Sequence, residues 1–103
     1  MSRYAFHPEA FADIDGIWEY IAKDDLDAAD RVIADIFDSI RALSRSPHIG
    51  HRRPDLTTRP LRFQRVRDYL IAYAPDARPL WVIAVIHGHR NPRFMAAILR
   101  ERR

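Results

Sequence analysis

A chain of 103 residues is the size of one domain and buries roughly 60 to 70% of its unfolded surface, so residues 1–103 are read as a single domain whose core needs no staples. With no cysteine it has no disulfide, thiolate metal ligand or cysteine nucleophile, which fits a reducing cytoplasm, and no apolar run approaches the ~20 residues of a membrane span. The net charge of +3 is divided: residues 1–46 carry five basic and ten acidic side chains, residues 47–103 twelve arginines against four acids. The basic half suits phosphate or an acidic protein partner, but arginine supplies nearly all the basic residues throughout, so charge argues only weakly for direct contact with nucleic acid.

The opening MSRYAFHPEA leads into an acidic helix where a secretory signal needs an apolar stretch, so none is expected. Tyr4 and Phe6 alternate within Arg3–His7 as on a half-buried strand. Pro8 ends that strand and suits the first position of a helix, with His7 as an indifferent N-cap and Glu9 near the positive end of the dipole. Phe11, Ile14, Trp18 and Ile21 follow at helical spacing, widened by Ile17, with Asp13, Asp15 and Glu19 placed away from the stripe. Gly16 costs about 1 kcal/mol there relative to Ala, which predicts close approach by another element. Asp24 or Asp25 caps a second helix carrying Ala29, Val32, Ile33, Ile36, Phe37, Ile40 and Leu43 and ending at Pro47. So short a connector makes the two helices antiparallel.

Pro47 to Pro60 is rich in turn formers and reads as a surface loop. Leu61, Phe63 and Arg65 alternate with Arg62, Gln64 and Val66 as a strand with one wetter face. Tyr69–Ala74 and Leu80–His87, flanking Pro75–Pro79, read as a β-hairpin. In the second of these strands Trp81, Ile83, Val85 and His87 form one face and Leu80, Val82, Ala84 and Ile86 the other, so it belongs in the middle of a sheet. Asn91 caps and Pro92 opens a last helix with a stripe of Met95, Ile98 and Leu99. The fold class is α+β in the order β-α-α-β-β-β-α.

In that order the residues resemble the RelE/ParE family of type II toxin-antitoxin toxins over nearly the whole chain. The resemblance is carried by HPEAFADIDGIWEYIA, DAADRVIADIFDSIRALSRSP, GHRRPDL, YLIAY and, most specifically, VIAVIHGHRNP. It implies an N-terminal strand and antiparallel helical hairpin packed on a small antiparallel sheet. Two activities compete within the family. The RelE-like pattern for ribosome-dependent messenger cleavage wants an arginine where this chain has Leu70, an arginine matched by Arg90, and a tyrosine where it has Ala96. The ParE-like branch, associated with inhibiting DNA gyrase by binding and with neutralisation by a ParD-like, acidic, partly disordered antitoxin, is matched by the long hairpin, YLIAY and the His-Gly-x-Arg ending. The resemblance therefore implies a ParE-like toxin with no catalytic residues and no cofactor. An endoribonuclease and a non-toxic binding module of the same fold are the alternatives.

Arg62, Arg65, Arg67, Arg90 and Arg93 are the candidate contacts for target or antitoxin. Exposed arginines on a strand also serve as a solvated edge, and Arg90 is equally read as a prop for the C-terminal turn. His87 and His89 form a His-x-His pair, but with no third ligand at convincing spacing a structural role is favoured over metal. His48 and His51 read as solvated turn residues, Trp18 and Trp81 as core. Glu9, Asp13 and Asp15 are explained by the helix dipole. The hairpin covers one face of the sheet, and a three-residue stripe on the last helix is too small to cover the other. An apolar patch is therefore expected there as the antitoxin site, with the free chain poorly soluble or self-associated.

Overall fold

The structure, a computed structural model, describes residues 3–103. β1 (Tyr4–Phe6), α1 (Pro8–Ala22), α2 (Leu26–Arg45), β2 (Arg62–Val66), β3 (Tyr69–Ala74), β4 (Leu80–His87) and α3 (Pro92–Glu101) follow in the expected order. The sheet runs β1-β4-β3-β2, with the doubly apolar β4 inside it. β2, β3 and β4 are antiparallel, as expected. β1 joins parallel to β4, pairing Tyr4–Phe6 with Leu80–Val82, and the sheet is therefore mixed. The physical reason is the crossover: two helices separate β1 from the strands it joins, and β1 enters the sheet in the direction of β4.

The hairpin of α1 and α2 covers one face. Its local signals are in place: His7 Nδ1 accepts from the Glu9 amide at 3.1 Å and Asp25 Oδ1 from the Ala28 amide at 3.0 Å. α2 buries Ala29, Val32, Ile36, Ile40 and Leu43. α1 is rotated from expectation. Ala10 and Ile14 are buried with Ile17 and Ile21 packed beside them, whereas Phe11 is 52% exposed and Trp18 sits at the margin. Trp18 is there because its indole N–H donates to Asp30 of α2 at 2.9 Å, and a ring in the core would leave that donor dry. Trp81 is also only partly buried, its N–H reaching the Arg103 carbonyl at 3.2 Å.

The alternation along β4 is not strict. Ala72 pairs with Ala84 but Tyr73 with Val82, so Ile83 is one residue too many. A bulge of this kind shifts the phase of everything beyond it. Leu80, Val82 and Val85 consequently face the helical hairpin together with Ile71 and Tyr73. Ile83, Ala84 and Ile86 face the other way with Leu70 and Ala72.

That second face is covered, contrary to expectation. Met95 and Leu99 of α3 pack on it, and Leu56 and Leu61 from the segment before β2 complete a second core. Leu56, Leu61, Met95 and Leu99 are each at most 4% exposed, and burying such a side chain is worth about 1.5–3 kcal/mol. The segment 47–60 reads as a surface loop because its turn formers carry no periodic apolar pattern; of its two aliphatic residues Leu56 is buried and Ile49 is exposed. Tertiary bonds hold the loop in place instead. His51 exchanges two backbone bonds with Phe63 (2.8 and 2.9 Å), and the buried Tyr73 hydroxyl donates to the Pro47 carbonyl at 2.7 Å and accepts from the Gly50 amide at 3.0 Å. Among the described residues this face of the sheet exposes no such patch, and the expected ground for a poorly soluble free chain is missing.

Candidate binding groove

With α1 on one face of the sheet and α3 on the other, a cleft remains between them. β1 spans only Leu80–Val82 of β4, after which Pro8 turns the chain into α1. The far half of β4 therefore shows its edge at the bottom of a groove of about 1000 Å³. Gly16, Ile17 and Tyr20 of α1 form one wall, Phe94 and Ile98 of α3 the other, with Val85 and His87 between them. Arg67, Asp68 and Arg90 line it as well. Tyr20 and Phe94 are 73% and 47% exposed, so the groove presents aromatic surface to solvent, the composition of a protein-binding site.

At the Asp13 side the groove is closed by an ion pair that the sequence reading missed. Arg102, just past α3, lies bidentate on Asp13 (Nη1–Oδ2 2.6 Å, Nη2–Oδ1 3.1 Å) and donates to the Ile83 carbonyl at 3.2 Å. Its Nε is 3.6 Å from Glu9. Asp13 Oδ2 also accepts from the Val85 amide at 3.0 Å. Acceptor and donor here stand in for a neighbouring strand, satisfying two edge groups of β4 with side chains. Asp13 is thus not a dipole-compensating surface acid, and its side chain is 20% exposed. The available signal was that Asp13 falls at helical spacing from Ile17 and Tyr20; nothing marked the terminal Arg102. Arg59, likewise unremarked, donates from Nη1 to the carbonyls of Leu99 (2.8 Å) and Arg102 (2.6 Å) and so caps α3 from the loop before β2.

The five candidate arginines do not form one patch. Arg62 is at the opposite end of the sheet, half-buried, donating to the Gly50 carbonyl at 2.7 Å and holding the loop. Arg65 is exposed and lies against the turn after β4, 3.4 Å from where a Cβ on Gly88 would stand. Arg67 has a left-handed φ of 54° in the two-residue turn between β2 and β3, which costs a side-chain-bearing residue about 1–2 kcal/mol, and its Nε donates to Asp35 of α2 at 2.7 Å. Arg90 is exposed, stacks over Phe94 at 4.9 Å and makes no ion pair among the described residues. Arg93 is exposed on α3, its amide bonded to the Asn91 cap at 2.8 Å. The groove brings together Arg67 and Arg90 alone.

His87 packs edge-on against Tyr69 with centroids 5.4 Å apart, and its Nδ1 accepts from the His89 amide at 3.2 Å, a structural use of the ring. Burial, with Asp68 and Tyr20 adding in the same direction, holds the Tyr69 hydroxyl above its ordinary value. It stays a neutral phenol at physiological pH. The other histidines are also engaged: His48 Nε2 is 3.3 Å from Asp76, and His51 extends the sheet. Gly16 meets nothing within 4 Å of a Cβ position, so no element among the described residues approaches it, and the missing side chain opens the groove.

A family model described as the ParE toxin of the type II toxin-antitoxin system parDE matches residues 4–92. The chain belongs to the ParE toxin family. It is also 36% identical over 84 residues to a curated protein of Sinorhizobium fredii (strain NBRC 101917 / NGR234) named "Putative toxin Y4kP", the match covering 76% of this chain and 79% of that relative. The matched segment of this ParE-family chain contains both helices of the hairpin and all four strands and stops at Pro92, the first residue of α3. Among the described residues no helix is long and apolar enough to cross a membrane.

Proposed function

We propose that this ParE-family chain is a cytoplasmic toxin that acts by binding DNA gyrase and is held inactive by a cognate, acidic, partly disordered ParD-like antitoxin. The observation that carries the choice over RNA cleavage is the placement of Leu70. Its side chain is 8% exposed in the core under α3, where the RNA-cleaving pattern requires a cationic group on the phosphate. Ala96 offers no acid or base, and the neutral Tyr69 phenol is a poor general base at physiological pH. What remains is a surface suited to recognition: a groove with aromatic walls and two cations at its rim.

A supercoiling assay with purified gyrase tests this directly, with inhibition at micromolar protein as the expected outcome. In a translation extract the same preparation leaves messenger intact. Codon-specific cleavage that disappears in Arg90→Ala would replace the gyrase reading with the endoribonuclease one.

A further inference from the structure

The edge of β4 inside the groove carries an incomplete set of hydrogen bonds with a definite polarity. The Gly88 amide donates to the Asp68 carbonyl at 2.6 Å, and Leu70 is opposite Ile86, so the alternation of the ladder turns the backbone of Val85 and His87 outward, away from β3. Of their four outward groups, two are used. The Val85 amide donates to Asp13, and the His87 carbonyl accepts from the Arg90 amide at 3.1 Å. The Val85 carbonyl and the His87 amide make no hydrogen bond among the described residues.

That remaining pair selects a strand direction. An antiparallel neighbour bonds both groups of a single residue, and at Val85 and at His87 one of the two is already taken. A parallel neighbour instead bonds the carbonyl of residue i and the amide of residue i+2 through one of its own residues, which is what is left here. β1 uses the same sense on the preceding stretch, where the His7 amide donates to the Val82 carbonyl and the Leu80 amide to the Arg3 carbonyl, both at 2.9 Å. The slot is where β1 would continue if α1 did not begin. Gly16, at a cost of about 1 kcal/mol in helix stability and with no internal neighbour, leaves room beside it for a backbone. Arg90, the rim cation without a carboxylate partner, faces whatever enters.

We propose that this slot receives a short extended segment of the antitoxin, lying parallel to β4 and continuing the line of β1, with one of its residues bonded to the Val85 carbonyl and the His87 amide and an acidic side chain on Arg90. Aromatic walls on both sides take its alternate side chains. The inference rests on the toxin-antitoxin reading above and adds the position, direction and chemistry of one contact.

The test uses the full chain co-expressed with the protein encoded by the adjoining reading frame. Gly16→Phe fills the slot and is expected to weaken the complex by about 100-fold or more. Arg90→Glu slows association and weakens binding in low salt. Amide exchange on the unsubstituted chain needs no variant: the His87 amide exchanges freely in the isolated protein and becomes protected in the complex. Undiminished binding by a folded Gly16→Phe, or equal exchange at His87 in both states, overturns the proposal while leaving the antitoxin reading intact. Loss of binding in Gly16→Phe without protection at His87 also overturns it, since the groove is then filled by something other than a strand. No complex with the unsubstituted chain overturns the antitoxin reading and this contact together.

Discussion

Replacing Arg102 by alanine isolates the ion pair that ties the end of the chain to α1 and β4. The guanidinium makes two bonds to Asp13 and one to the Ile83 carbonyl, with its side chain only 10% exposed. Its removal leaves the Asp13 carboxylate with the Val85 amide as its remaining partner and the Ile83 carbonyl unpaired. Breaking a buried pair from one side costs about 3–5 kcal/mol, and because Asp13 keeps some contact with water the expected loss lies near the lower figure, about 3 kcal/mol. With urea m-values of about 1–3 kcal/mol/M, the unfolding midpoint should fall by roughly 1–3 M at unchanged slope. A double-mutant cycle with Asp13→Asn sharpens the test, because the two changes share one interaction and the pair should cost clearly less than the sum of the singles. A loss below about 1 kcal/mol, or additive singles, would show that the pair behaves like a surface salt bridge and that α3 is held by its apolar stripe and Arg59 alone.

Further outcomes follow from other parts of the structure. Tyr73→Phe should cost about 1–3 kcal/mol in urea unfolding, because it strands the Gly50 amide and the Pro47 carbonyl in a buried setting. Burial also raises the Tyr73 hydroxyl above its ordinary value near 10.0, so only the unfolded chain gives up that proton just above pH 10; stability should be flat in this respect below pH 10 and fall as pH rises beyond it, with Tyr73→Phe removing part of the slope in alkaline melts. Gly16→Ala should raise stability by about 0.5–1 kcal/mol, whereas Gly50→Ala should lower it severely, since the new Cβ runs into the Tyr73 hydroxyl and stands 2.9 Å from the Phe63 carbonyl; thermal melts of the two variants give opposite signs or refute the packing read at these glycines. Arg59→Ala should fray the last turn of α3, seen as faster amide exchange there and a loss of about 1–3 kcal/mol, with β3 and β4 unaffected at the level of local exchange.

The order of elements, their bounds to within a residue or two, and the central place of β4 could be read from the chain because these depend on local chemistry: Pro8 and Pro92 opening helices, Asp25 and Asn91 capping them, and the aromatic and β-branched runs of YLIAYA and LWVIAVIH. The family could be read as well, since its motifs are contiguous. Features set by contacts across the chain were out of reach. The parallel sense of β1 depends on how two helices cross back over the sheet. The bulge at Ile83, which reverses the faces of β4, arises from pairing with a partner strand and has no local signature. Asp13 and Arg102 are 89 positions apart; in the sequence the helix dipole was enough to explain Asp13 and nothing marked Arg102, yet the fold closes the two around the Val85 amide and the Ile83 carbonyl. Leu56, the buried aliphatic residue of a loop rich in turn formers, covers the second sheet face only because His51 and Tyr73 pin that loop. The groove itself is the gap left where β1 is shorter than β4, a difference in length that takes on meaning only once the two strands lie side by side.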